Sequence, residues 1–368
     1  MRHHISAEQL RRIRLSRQLL NNTDRASSAA DVVRALFALQ AQEWPSAQLA
    51  IHARAHGITQ ADVIHAREVE RAFVLTWSLR GTLHLAAAED IRWQLALCGP
   101  PAIRGTRSRY KQLGLSDDVR ERALEAIEDI LSGDNAMNRA ELARALASRG
   151  LPVAGQAIHH LVRFAALRGL VCFGPEINGD LTYTLLDDWA PADGAKPPED
   201  EALRQFALRY LAACGPATLA DFKRWSVLNA SQVKAAWAAA APECLPVMIP
   251  DGEALMLERQ LEQLDAPTIG PTLRLLPRYD NYLLAYESRA FMVDEAYAKR
   301  LHPGGGLIRA CLLVDGEARA NWKLEKRRSV IRVQVEPFDA LDSNVLPHLE
   351  AEVQSLGRFL NAKAELRL

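Results

Sequence analysis

The 368-residue sequence predicts an α+β, mainly helical fold made of tandem winged-helix motifs and closed by a β-rich C-terminal subdomain. Three observations support that class. Runs with apolar residues at helical spacing recur in groups of about three, and each group is followed by two short alternating stretches that pair as a ribbon. Helices followed by a two-stranded ribbon make the order of a winged helix. The last hundred residues instead switch to strand-period runs separated by short turns.

Residues 6–20, SAEQLRRIRLSRQLL, start on a candidate Ser cap and read as a basic amphipathic helix; 21–28 is a polar break. A helix over 31–42 follows, then one from Pro45 to about His56 that stops at Gly57, and a shorter one near 59–67. Residues 73–77 and 82–85 alternate as two strands joined at Ser78 to Gly81, and 88–97 is helical again. Pro100 and Pro101 close this first unit, and Arg104, Arg107, Arg109 and Lys111 surround Tyr110 in the loop expected after it.

Residues 117–190 repeat the plan more clearly. A helix spans 117–131, Asn138 caps a second that stops at Gly150, 152–168 forms a third, and two strands flank Asn178-Gly179. The third helix, the position of a recognition helix, has only two arginines from Val153 to Arg168 and lies in an acidic segment, which argues against major-groove reading. A linker at 192–200 leads to a third copy: helices near 201–213 and 231–240, then strands near 244–249 and 254–257. Beyond 271 a meander over 306–314, 317–324 and 329–336 is followed by a helix over 343–360. The expected units are therefore 1–115, 116–191, 201–270 and 271–368, with the linker between the second and third.

Composition narrows the class of function. Apolar residues make up 49% and charged residues 24%, as in ordinary globular proteins. Cys98, Cys172, Cys214, Cys244 and Cys311 have neither CxxC nor Cys/His ligand spacing, so no disulfide framework, metal site or cofactor is expected. The start MRHHIS lacks a signal-peptide apolar run and no apolar stretch reaches about 18 residues. A cytoplasmic protein with no membrane partner is expected.

Formal net charge is zero, yet it is unevenly spread. Lys plus Arg against Asp plus Glu number 16 against 9 in residues 1–115, 8 against 15 in 116–200, 6 against 8 in 201–270 and 15 against 13 in 271–368. The basic excess of +7 therefore lies on the first unit, where an anionic polymer would approach. Arg80 and His84 on its ribbon read either as solvated or as contacts to a nucleic-acid groove or phosphate. The four cations of 104–111 and the turn Lys326-Arg327-Arg328 add anion-contact candidates. Lysine at a strand edge also serves to prevent aggregation.

The first unit contains Gln40-Ala41-Gln42. Gln40 falls on the apolar face of the expected helix 31–42, and burying a primary amide costs roughly 1–3 kcal/mol unless its hydrogen bonds are met. Residues two apart do not share a helix face, but Pro45 ends the helix near Gln42 and starts the next, so both amides can line one cleft.

The triplet, with the runs WSLRGTLHLAAAEDI from Trp77, LLPRYDNYLLAYESR from Leu275 and GGLIRACLLVDG from Gly305, resembles the AlkZ/YcaQ-like family of winged-helix DNA glycosylases over nearly the whole chain. The resemblance implies a DNA-binding channel of tandem winged helices, excision of alkylated bases from double-stranded DNA and, for some members, unhooking of interstrand crosslinks. Gln40 and Gln42 match the Gln-apolar-Gln catalytic motif of the AlkZ-like branch, whereas the YcaQ branch has Asp at the second position. DNA contacts are expected from Arg80, His84, Arg104, Arg107, Arg109, Lys111, Arg278, Lys326, Arg327 and Arg328. The expected protein is a monomer working on the bacterial nucleoid.

Amides suit that chemistry. An ordinary N-glycosidic bond calls for a carboxylate, but an N7-alkylated purine is already cationic and leaves with little acid assistance. What remains is to hold a water beside the anomeric carbon, which neutral amides with donor and acceptor ends can do. No lysine precedes Lys111, so a Schiff-base lyase step is not expected. The rival from another class is a non-catalytic winged-helix regulator, in which both glutamines are helix-end structure.

Overall fold

The computed structural model describes residues 3–192, 196–226, 228–263 and 271–368. Part of the linker expected at 192–200, namely 193–195, and the end of the third unit, 264–270, lie outside the described residues.

Strand pairing joins the first two helix-and-ribbon units. The ribbons Phe73–Trp77/Leu83–Ala87 and Val171–Ile177/Asp180–Leu185 meet through Leu75 opposite Phe173. With the short edge strands Leu39–Gln40 and Met137–Asn138 they make one six-stranded sheet. Behind it the helices Ile91–Gly105 and Ala157–Leu167 pack so tightly that a Cβ on Gly99 would lie 2.2 Å from the Leu167 carbonyl oxygen. Glycine is what permits this approach.

The third group, helices Glu199–Cys214, Leu219–Trp225 and Ala230–Ala240, ends in the hairpin Cys244–Ile249/Gly252–Leu257. A strand not expected from the sequence, His3–His4, adds in parallel to this hairpin. The C-terminal sheet is also larger than the expected meander. Its order is Leu273–Leu276, Cys311–Val314, Glu317–Arg327, Val330–Pro337 and Lys363–Arg367, the last reached through helix Val345–Phe359.

That sheet separates two apolar cores. Leu275 and Leu312 face the core built on Val33, Leu75, Leu161 and Val353, while Leu276 and Leu313 face the one built on Phe206, Trp225 and Tyr286. Alternate residues of a strand point to opposite faces, so one strand serves both.

Three local expectations are corrected. Helix 31–42 is shorter: it runs Ala29–Leu36 from an N-cap at Ser28 and stops where Phe37 adopts φ 64°. The buried Phe37 ring, stacked 5.3 Å from Trp93, holds the chain in that left-handed position. Pro100 and Pro101 do not close a unit, because Ile91–Gly105 continues through both. The following segment is a second helix, Arg107–Gln112, rather than a loop, with Tyr110 buried among Arg120, His160 and Phe164. The cysteines are all free, and all but Cys244 are buried.

Candidate active site

The left-handed turn at Phe37 redirects the chain from helix into an extended strand, Leu39–Gln40, that pairs with His84 and Leu85. Gln40 is therefore not on a helix face. Burial alternates from here: Leu39 and Ala41 are buried, Gln40 is half-buried and Gln42 is exposed. Gln40 thus lies on the less buried side of its strand, and Gln42 in the exposed bend that follows it. Helix Trp44–Arg54 begins immediately afterwards with Pro45 in its first turn, as the sequence indicated.

The backbone at this bend is clamped from 241 residues away. Asn281 accepts from Gln40 N at 2.8 Å and donates to the Ala38 carbonyl at 2.8 Å. Its neighbour Asp280 caps helix Asn281–Leu284 and forms a two-pronged ion pair with Arg54, each contact 2.7 Å and both side chains fully buried. Arg54 also reaches Gln18 at 3.2 Å. A carboxylate–guanidinium fork of this kind fixes geometry as well as charge.

The amide of Gln40 is held from the ribbon. Arg80 Nη2 donates to Gln40 Oε1 at 3.2 Å, while its Nη1 donates to the Trp225 carbonyl at 2.7 Å. Burial, then the nearby charge of Arg224, lowers the Arg80 guanidinium to about 10, so it is cationic at neutral pH. His84, opposite Gln40 in the sheet, is only 1% exposed and donates Nδ1–H to Thr82 O at 3.0 Å. Burial and then Arg80 push His84 down to about 3. Of the two ribbon residues expected to contact DNA, Arg80 is half-buried with its guanidinium on Gln40, and His84 is a buried neutral imidazole.

Around this centre lie cations that the sequence did not single out. Arg224 pairs with Glu287 at 3.3 Å, and its charge is felt at Arg80, Arg289 and His302, whose imidazole is lowered to about 4 mainly by burial. Arg289 lies in the run from Leu275 and Arg224 two residues before Ser226, but their convergence needs the tertiary fold. Glu43, the carboxylate next to Gln42, is engaged on both oxygens, by Arg278 at 2.9 Å and Ser46 at 3.0 Å.

The remaining expected contacts stand elsewhere. Arg104, Arg107 and Lys111 are exposed on the two consecutive helices, and Arg109 is bonded to Gln112 and Gln156. Lys326, Arg327 and Arg328 are exposed at the tip of the C-terminal hairpin, with Arg327 3.6 Å from Glu325. None of these hydrogen-bonds to the Gln40 group among the described residues. In the expected recognition helix, Arg163 turns inward to Gly81 O and Thr106, and Arg168 pairs with Glu121 at 2.8 Å. Among the described residues no group of three or more His, Cys, Asp or Glu could hold a metal ion, and no helix is long and apolar enough to cross a membrane.

Similar proteins are known in sequence and in structure. A Streptomyces sahachiroi protein named interstrand DNA cross-link repair glycosylase is 26% identical over 355 residues, 94% of each chain. The structure of Streptomyces sahachiroi DNA glycosylase AlkZ superposes with a TM-score of 0.85 at 25% identity, covering 99% of both chains. The model of the AlkZ-like DNA glycosylases matches residues 33–359, a span that runs from the helix before the QAQ triplet to the end of the C-terminal helix. On that match the chain belongs to the AlkZ-like DNA glycosylase family.

Proposed function

We propose that this chain is a monofunctional glycosylase that hydrolyses the N-glycosidic bond of cationic N7-alkylated purines in duplex DNA, and that it unhooks interstrand crosslinks made through such bonds. The helix-and-ribbon units are read as winged helices that together carry the DNA, with boundaries at 1–115, 116–191 and 201–270, and the C-terminal unit at 271–368. The protein acts as a cytoplasmic monomer on the nucleoid. A regulator is disfavoured by the family and by a second unit whose helix Ala157–Leu167 spends Arg163 on internal contacts.

One observation supports the site most directly. The bend offers two amides, while both oxygens of the adjacent carboxylate, Glu43, are already engaged by Arg278 and Ser46. Such a site holds a water well and removes protons poorly, which suits a leaving group that is already cationic. In the step, the water oxygen bonds to C1′ as the C1′–N9 bond breaks. Its electron pair enters the cationic purine, which departs neutral, and the water's proton is lost to solvent. Gln40 and Gln42 orient the water; Arg278, the 104–111 cations and the Lys326–Arg328 tip hold phosphates.

The test is single-turnover release of 7-methylguanine from duplex DNA by wild type, Gln40→Ala and Gln42→Ala, with a crosslinked duplex in parallel. Excision that vanishes in both variants with DNA affinity retained supports the reading. Wild type that binds DNA but releases nothing from either substrate removes it.

A further inference from the structure

The turn that carries Arg80 is built more elaborately than a hairpin tip requires. Arg80 adopts φ 53° and Gly81 φ 64°, the left-handed region that arginine seldom enters. Ser78 N donates to Thr82 O at 3.0 Å, and Ser78 Oγ donates to Gln94 at 2.8 Å. Arg163 Nε donates to Gly81 O at 3.1 Å, and a Cβ on Gly81 would lie 1.9 Å from that guanidinium. Backbone in a sparsely populated region persists only where its surroundings fix it, and such positions cluster at functional sites.

What the turn achieves is the placement of one guanidinium between the Trp225 carbonyl and Gln40 Oε1. A guanidinium has donors and no acceptor. The atom of the Gln40 amide that faces Arg80 must therefore be its carbonyl oxygen, and the Nε2 group is turned away from it. Thr82 Oγ1 gives its one hydrogen to Leu79 O at 3.1 Å, so the orientation rests on Arg80 alone.

We propose that Arg80 is a positioning residue that locks the Gln40 amide in one orientation, so that Gln40 offers the site N–H donors only and the hydrogen-bond acceptor for the water's O–H is Gln42. This assignment rests on the reading of Gln40 as catalytic. The half-buried positive charge on Arg80 further polarises the amide and strengthens its outward N–H groups as donors. Because the second prong of Arg80 rests on Trp225, the orientation of Gln40 is also set by helix Leu219–Trp225, from a different part of the chain.

A double-mutant cycle tests it: single-turnover 7-methylguanine release at saturating protein for wild type, Arg80→Ala, Gln40→Ala and the double variant, with DNA affinity measured at several salt concentrations. Arg80→Ala is expected to slow release about 10- to 100-fold, the worth of one charge-assisted hydrogen bond, with affinity and its salt slope unchanged. In the Gln40→Ala background the same change is expected to cost less than about twofold. Losses that multiply, or a flatter salt slope in Arg80→Ala, overturn the proposal and make Arg80 a phosphate contact or a fold element. If Arg80→Ala does not fold, the cycle is run with Arg80→Lys, which is expected to show the same lack of additivity. Gln40→Glu provides the second readout: its carboxylate pairs with Arg80 and has no N–H, so it is expected to be as slow as Gln40→Ala, and retained release overturns the donor assignment. Gln42→Ala separates the two levels, because a fast Gln42→Ala variant discredits the amide-pair reading itself, whatever Arg80 does.

Discussion

Asp280 meets Arg54 through both carboxylate oxygens, each 2.7 Å from a guanidinium nitrogen, with neither side chain exposed to solvent. Removing one partner leaves a buried charge uncompensated, at a cost of about 3–5 kcal/mol. Asp280→Ala is expected to lower the urea midpoint accordingly, with an unchanged m-value. A loss below about 1 kcal/mol would mean that water reaches the pair.

Asn281 closes the bend that presents the glutamines. Asn281→Ala frees Gln40 N and the Ala38 carbonyl together, at about 1–3 kcal/mol. Because the clamp acts on backbone and not on DNA, excision should fall while duplex affinity stays within about twofold. Comparing single-turnover rates with binding isotherms decides this, and a parallel loss of both would place Asn281 at the DNA surface.

The tip of the C-terminal hairpin gives a salt-dependence prediction. Arg327→Glu with Arg328→Glu should weaken duplex binding and reduce the magnitude of the log–log salt slope by about 2, since each phosphate contact contributes roughly 0.9. An unaltered slope would put this tip away from DNA.

Stability should fall on acidification because of His52 and His84, both lowered to about 3 mainly by burial. Their unfolded-state value is 6.5, so between about 3 and 6.5 the unfolded chain binds more protons than the folded one. This stabilising contribution is complete above pH 6.5 and is lost progressively as pH falls toward 3. His84→Asn, which keeps a donor for Thr82 O, should flatten the dependence of melting temperature on pH between 4 and 7. Parallel curves would show that His84 titrates alike in the folded and unfolded chain.

Much of this architecture was legible in the sequence because it is local. Helix Asp117–Leu131, the Asn138 cap and the hairpin at Asn178-Gly179 follow from period, capping and turn chemistry within a few residues. Phe37 illustrates what was not. Its helical spacing extended the expected helix to Gln42, but packing against Trp93 and Phe206 holds it in left-handed backbone and makes Gln40 a strand residue. Arg80 was readable as a cation at a turn, whereas its inward direction depends on Trp225, 145 positions later. His3–His4 and Lys363–Arg367 are too short or too polar to announce themselves and become strands only beside their partners.

The Asn281 clamp also decides how portable the glutamine pair is. Three adjacent residues resemble a cassette, yet their geometry is imposed by an amide from the far end of the chain, by Arg80 and, through it, by the Trp225 carbonyl. An N-terminal fragment of residues 1–115 would keep the triplet and lose two of its three supports. Grafting the triplet onto another scaffold would transfer the letters without the bend. On the proposed reading, change at Asn281 bears on excision alongside change at Gln40, and a search for working relatives by the triplet alone would admit chains that cannot shape it.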